Sequence, residues 1–244
     1  MMTKMFFEGA DYAEVLKEAQ DKGYAERNPE ADVEGHDACR KIAILTSLIS
    51  GQHVDFEKIH TEGITKITTE DMKYAKKLNM AIKLLASSKR VGDTFSVLVA
   101  PMLLSEEHPL CNVNDVFNAV FVRGNMLGDA MFYGSGAGKL PTASAVVADV
   151  VDEAKNLHEN IATNWSNEPM KLTPMEETEG RFFVRVKGVT EAQAEAAFGK
   201  LQIVKVASLP DEFGFITECM KQKEYKEKIS KLNGEVIAMI RVKD

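Results

Sequence analysis

Residues 181–244 alternate between two hydrophobic periods in an order that restricts the fold. RFFVRVKG, QIVKVASLP, GFITECM and EVIAMIRVKD are short runs rich in β-branched and aromatic residues, and they read as strands. TEAQAEAAFGKL and YKEKISKLN lie among them and read as helices. The resulting β-α-β-β-α-β order is the split βαβ, or ferredoxin-like, arrangement. Residues 179–244 are therefore expected to form a unit the size of one small domain.

The rest of the chain predicts a different arrangement. Two helices are expected over 10–22 and 32–50. Asp11 caps the first, with Glu14 three residues on, and Gly23 closes it. Asn28-Pro29 marks the turn between them. The second is expected to bury Ala38, Ile42, Leu45, Leu48 and Ile49. A short helix over 69–79 opens at Thr68 or Thr69. AIKLLASSKR, FSVLVAPMLL, VFNAVFVRG and NMLGDAMFYG then read as strands joined by short turns, which favours antiparallel neighbours. Residues 141–158 read as a helix with Pro141 in its first turn. Residues 160–178 are polar and aperiodic, and read as a linker anchored by Trp165. The expected fold class is α+β: residues 1–159 with helices on a largely antiparallel sheet, the linker, then the ferredoxin-like unit.

Composition bounds the function. Hydrophobic residues make up 45% of the 244, charged residues 27%, and the net charge is −7. That acidic balance disfavours nucleic acid or an anionic membrane as partner. No apolar run approaches the roughly 20 residues that span a bilayer, and the first residues lack a secretory core. The 3 cysteines are far apart in sequence and the 5 histidines show no metal-ligand spacing. Reduced thiols in a cytoplasmic protein without a metal are the expectation.

The polar chemistry concentrates between Ala19 and Lys41, in AQDKGYAERNPEADVEGHDACRK. Asp37 and Lys41 are one helical turn apart and share a face. Two readings stay open from spacing alone. One is a solvated ion pair worth about 0.3–0.5 kcal/mol. The other is a polar pocket in which Glu26 and Asp32 converge with that pair on a zwitterionic amino acid.

This stretch resembles the substrate-binding signature of the homoserine dehydrogenases. Ala19, Gly23, Tyr24, Ala25, Asn28, Pro29, Asp32, Val33, Gly35, Asp37 and Lys41 meet every fixed position. The resemblance implies interconversion of L-aspartate 4-semialdehyde and L-homoserine with NADP or NAD, on the route to threonine, methionine and isoleucine. It implies that Glu26 and Asp32 hold the substrate ammonium, that Tyr24 lines the pocket, that Asp37 orients the lysine or meets the reacting oxygen, and that Lys41 transfers the proton. The glycine-rich turn GSGAGKLPTASA is similar to a family segment beside the nicotinamide, which makes Gly134, Gly136, Ala137, Gly138 and Thr142 cofactor-adjacent candidates. By itself that turn is neither a Rossmann fingerprint nor a P-loop.

The resemblance also implies an organisation. The chain corresponds to the C-terminal part of the family, without the Rossmann domain. It would be a shortened product or one half of a split enzyme whose dinucleotide-binding domain is a separate chain, and inactive alone. The helix at 141–158 would face that domain, so that some of Ala143, Val146, Val147, Val150 and Val151 are left exposed or are covered by another subunit. Residues 179–244 resemble an ACT domain, which implies a threonine effector, although Lys187-Gly188-Val189-Thr190 lacks the aspartate usual in that turn. A homodimer is expected. The competing expectation is a non-catalytic amino-acid-sensing or dimerisation protein of the same descent.

Overall fold

Thr68 starts a helix by a reciprocal cap. Its hydroxyl accepts from the Asp71 N–H at 3.3 Å, and the Asp71 carboxylate accepts from the Thr68 N–H at 2.9 Å. Two first-turn donors that a helix cannot satisfy internally are thereby paired. Thr190 and Gln193 repeat the device. Asp11 accepts from the Ala13 N–H at 3.0 Å.

The computed structural model describes residues 2–21, 27–160, 162 and 165–243. Its helices are α1 (Met2–Glu8), α2 (Tyr12–Asp21), α3 (Glu30–Val33), α4 (His36–Ser50), α5 (Thr69–Lys77), α6 (Lys139–Lys155), α7 (Glu191–Phe198) and α8 (Gln222–Ile229). Its strands are β1 (Gln52–His53), β2 (His60–Thr61), β3 (Met80–Val91), β4 (Thr94–Ser105), β5 (Phe117–Gly124), β6 (Gly128–Ser135), β7 (Ser166–Pro169), β8 (Glu179–Lys187), β9 (Gln202–Val204), β10 (Glu212–Ile216), β11 (Met220–Lys221) and β12 (Glu235–Lys243).

Strand β3 pairs with β4 along the whole of one edge, from Met80 opposite Ser105 to Val91 opposite Thr94. The other edge of β4 takes two strands end to end, both parallel to it. β2 pairs at Leu98 and Val99, and β12 pairs at Met102, Leu103 and Leu104. Pro101 falls between them and has no N–H to donate, so the interruption costs no ladder bond there. From β12 the sheet continues antiparallel through β8, β10 and β9. One eight-stranded sheet therefore carries both the middle strands and the C-terminal ones.

The large sheet is mostly antiparallel, as expected, and is made mixed by two short parallel pairings on β4. Two of the three strands beside β4 run parallel to it, and such pairings leave no short turn in the sequence to reveal them. The β5–β6 hairpin forms a separate two-stranded sheet. Within residues 160–178, β7 pairs parallel with β1, and Leu172 bridges Phe95.

The core lies on the helix-covered faces of the large sheet. Met5, Val15, Met72 and Tyr74 pack with Leu103, Phe183, Ile216 and Ile240. Ala194, Phe198 and Tyr225 pack with Val184, Val186 and Phe215. Cys39 and Ala43 pack with Phe95, Val97 and Val99. Each fully buried large side chain contributes about 1.5–3 kcal/mol.

Helix α4 rotates from the expected face. Cys39, Ala43, Thr46 and Ser47 are buried, whereas Leu48 and Ile49 are exposed. Ala38 and Ile42 of the expected face are half-buried against the core, so the buried stripe is shifted by part of a turn, which periodicity alone does not resolve when both sides carry apolar residues. Helix α6 has no buried residue: Val146, Val147, Val150 and Val151 are all exposed.

Candidate functional site

Two glycines fix the segment that carries the polar residues. Gly35 separates α3 from α4 at φ +77°, the left-handed region that glycine enters without a Cβ penalty. It is pressed against the sheet: a Cβ there would stand 3.1 Å from Val99 Cγ1. Gly63, after β2, lies under the same junction, where a Cβ would come within 2.4 Å of the Val33 carbonyl. The Ile64 N–H donates to that carbonyl at 2.7 Å. Asn28 accepts from the Glu30 N–H at 3.3 Å, so the Asn-Pro turn leads into α3 as the sequence predicts. The helix expected over 32–50 is thus broken at Gly35.

Asp37 and Lys41 occupy the first turns of α4 and meet at 2.6 Å. Asp37 lies where the helix N-terminus favours a carboxylate. The buried Cys39 and Ala43 turn inward, which turns the pair outward; its side chains are 47% and 70% exposed. Exposed Ile44, Leu48 and Ile49 continue along the helix from it. Asp32 is exposed on α3. Among the described residues, no hydrogen bond or ion pair joins its side chain to the pair. Tyr24 and Glu26 lie outside the described residues.

The cofactor candidates cluster at the end of the β5–β6 hairpin. Gly134 is the next-to-last residue of β6, and a Cβ there would meet nothing within 4 Å, so a flat group can approach the backbone. Gly136 is closed off: its N–H donates to the Val116 carbonyl at 3.0 Å, and the Asn118 side chain fills its Cβ position. Gly138, at φ +121°, caps α6, and its carbonyl accepts from the Thr142 N–H at 3.0 Å. Ala137 lies exposed between them. This geometry suits one wall beside a planar ring. It does not suit a pyrophosphate cradle, because two of the N–H groups are already used and Pro141 has none to offer.

A second polar cluster joins the C-terminal strands to this segment. Glu62 binds His60 Nε2 at 2.5 Å through one oxygen and Arg241 Nη1 at 2.8 Å through the other. Arg241 also donates to Gln222 Oε1 at 3.2 Å. Burial pushes the Glu62 carboxyl up, but the hydrogen bonds and charges of His60 and Arg241 together outweigh it and hold the group at about 2. The sequence carried no signal for this cluster, since Glu62 and Arg241 are 179 positions apart.

The profile of the family described as homoserine dehydrogenase matches residues 1–151. The chain belongs to the homoserine dehydrogenase family. A homoserine dehydrogenase of Pseudomonas aeruginosa is 38% identical over 235 residues, which is 93% of this chain and 52% of that protein. The crystal structure of a homoserine dehydrogenase from Thiobacillus denitrificans matches with a TM-score of 0.87 and 32% identity, over 100% of this chain and 61% of that one. A hyperthermophilic archaeal homoserine dehydrogenase in complex with NADPH matches with a TM-score of 0.51 and 31% identity, over 66% of this chain and 45% of that one. The chain spans about half the length of the curated relatives it matches.

Proposed function

We propose that this chain supplies the substrate-binding and proton-transfer part of a homoserine dehydrogenase, which interconverts L-aspartate 4-semialdehyde and L-homoserine with NADPH or NADH. The observation that carries this reading is the Asp37–Lys41 pair at 2.6 Å, outward on a helix whose start is fixed by Gly35. The nicotinamide cofactor, when bound, supplies or takes the hydride. Lys41 donates a proton from Nζ to the aldehyde oxygen as that oxygen becomes the alcohol of homoserine. In the reverse direction Lys41 Nζ takes the proton from the alcohol oxygen. Asp37 holds Nζ against the reacting oxygen. Asp32 and Glu26 take the substrate ammonium, and Tyr24 lines the pocket. Gly134, Gly136, Ala137, Gly138 and Thr142 form the wall beside the nicotinamide, with Gly134 the point of closest approach.

The dinucleotide domain belongs, in this reading, to chain beyond these residues or to a separate polypeptide, and it covers the exposed valines of α6. The β-α-β-β-α-β unit serves as an ACT-like regulatory module with threonine as effector, and the exposed apolar face of the β5–β6 hairpin joins two copies in a cytoplasmic homodimer. Calorimetry with L-homoserine tests the substrate half directly. Saturable binding that Asp32→Asn weakens at least about tenfold supports the reading, that being the size of one lost charge-assisted hydrogen bond. Binding indifferent to Asp32→Asn and Lys41→Met refutes it.

A further inference from the structure

The interruption of the sheet at Pro101 opens a cleft of about 350 Å³. Its walls come from Glu34 just after α3, from Thr61 of β2, from Glu62, Gly63, Thr65, Lys66 and Ile67 of the segment after it, and from Pro101 and Met239 of the sheet. Asp37 and Lys41 are not among them. The cleft therefore lies where the C-terminal strand β12 meets the segment that carries α3 and α4.

Its charges are arranged unequally. Glu62 has both oxygens engaged, by His60 and by Arg241. Glu34 and Lys66 have no hydrogen-bonded or ion-paired side-chain partner among the described residues. The Glu34 carboxylate hangs over Gly63, where only the missing Cβ leaves room for it. The cleft thus offers one uncommitted carboxylate, one uncommitted ammonium, two hydroxyls, and an apolar side made by Ile67, Pro101 and Met239. Small-molecule sites combine an apolar lining with a few such polar groups, and this volume lies within their range.

We propose that this cleft binds a small zwitterion with a short aliphatic body, its ammonium on Glu34, its carboxylate on Lys66 and its aliphatic part against Ile67, Pro101 and Met239. Each charge is read separately, so a ligand lacking either loses one charge-assisted contact. The site is separate from the Asp37–Lys41 pair, and the proposal does not depend on the catalytic reading.

The test is calorimetry on the whole chain with L-valine as probe, beside isobutylamine and isobutyrate, which keep its body and one charge each. The expected result is saturable binding of L-valine with each control at least about tenfold weaker, the loss of one charged hydrogen bond. Glu34→Gln and Lys66→Met each weaken L-valine binding at least about tenfold, and Lys41→Met leaves it unchanged. Amide shifts of Gly63 and Ile67 on adding L-valine locate the site without any variant. Absence of saturation overturns the proposal. So does equal binding of isobutylamine, full affinity in Glu34→Gln and Lys66→Met, or loss of binding in Lys41→Met.

Discussion

Arg185 on β8 binds Asp71 on α5 at 2.6 Å, with the two side chains only 3% and 1% exposed. The same guanidinium takes Glu212 on β10 at 2.8 Å and lies over the Tyr74 ring. Asp71 is also the partner of Thr68 in the reciprocal cap of α5. One cation thus ties the C-terminal strands to a helix of the first half of the chain. Arg185→Met would leave the buried Asp71 and the half-buried Glu212 without their cation, and the expected loss is about 3–5 kcal/mol. Urea unfolding measures it. A loss below about 1 kcal/mol would mean that the carboxylates find water or other donors.

The Glu62 cluster predicts a pH dependence. The folded-state carboxyl sits at about 2 against an ordinary value of 4.5. Its contribution is therefore fully present above about 4.5 and is lost as the pH falls from there towards 2. In Glu62→Gln the stability–pH curve flattens across that window. Thermal unfolding of the two proteins between pH 5 and pH 2.5 checks this, and parallel curves would contradict it.

Gly35 and Gly63 hold the α3–α4 junction by having no side chain. Gly35→Ala places a Cβ on a left-handed residue, which costs roughly 1–2 kcal/mol. Gly63→Ala is expected to cost more, because its Cβ would meet the backbone carbonyl of Val33. Gly180→Ala, where a Cβ meets nothing within 4 Å, is the control and should stay within about 0.5 kcal/mol. Equal effects at all three positions would refute the assignment of the junction to these glycines.

The parts of this fold that show in the sequence are those set by near neighbours. Thr68 with Asp71 and Thr190 with Gln193 announce their helices, because a cap needs only a four-residue window. Gly92 marks the β3–β4 turn, and the C-terminal order of strands and helices follows from period alone. What did not show depends on distant partners. The parallel pairing of β12 with β4, the short β7, and the Glu62–Arg241 contact join residues with no local signal. Helix α1 is hard to read from sequence because MTKMFFE is short and only Met5 is buried. In the site, the one-turn spacing of Asp37 and Lys41 was plain, whereas the break at Gly35 was hidden in an otherwise helical pattern.

Helix α6 gives a test of partner docking. Val147→Asp with Val150→Asp changes only exposed positions, so the stability of this chain should move by no more than about 0.5 kcal/mol. Two charges on that face should still abolish any activity gained by mixing the chain with a dinucleotide-binding domain of the family. Full activity in the mixture would show that the domain docks elsewhere.

The proton-transfer role of Lys41 is the centre of the account. Its ion pair is exposed, so removing it should change stability by no more than about 1 kcal/mol. The direct measurement is NADPH oxidation with aspartate semialdehyde in a mixture of this chain and a family dinucleotide-binding domain, comparing the native sequence with Lys41→Ala. The account predicts activity in the mixture that falls at least ~10²-fold in Lys41→Ala, the scale of a lost general acid. Near-normal turnover by Lys41→Ala would contradict it.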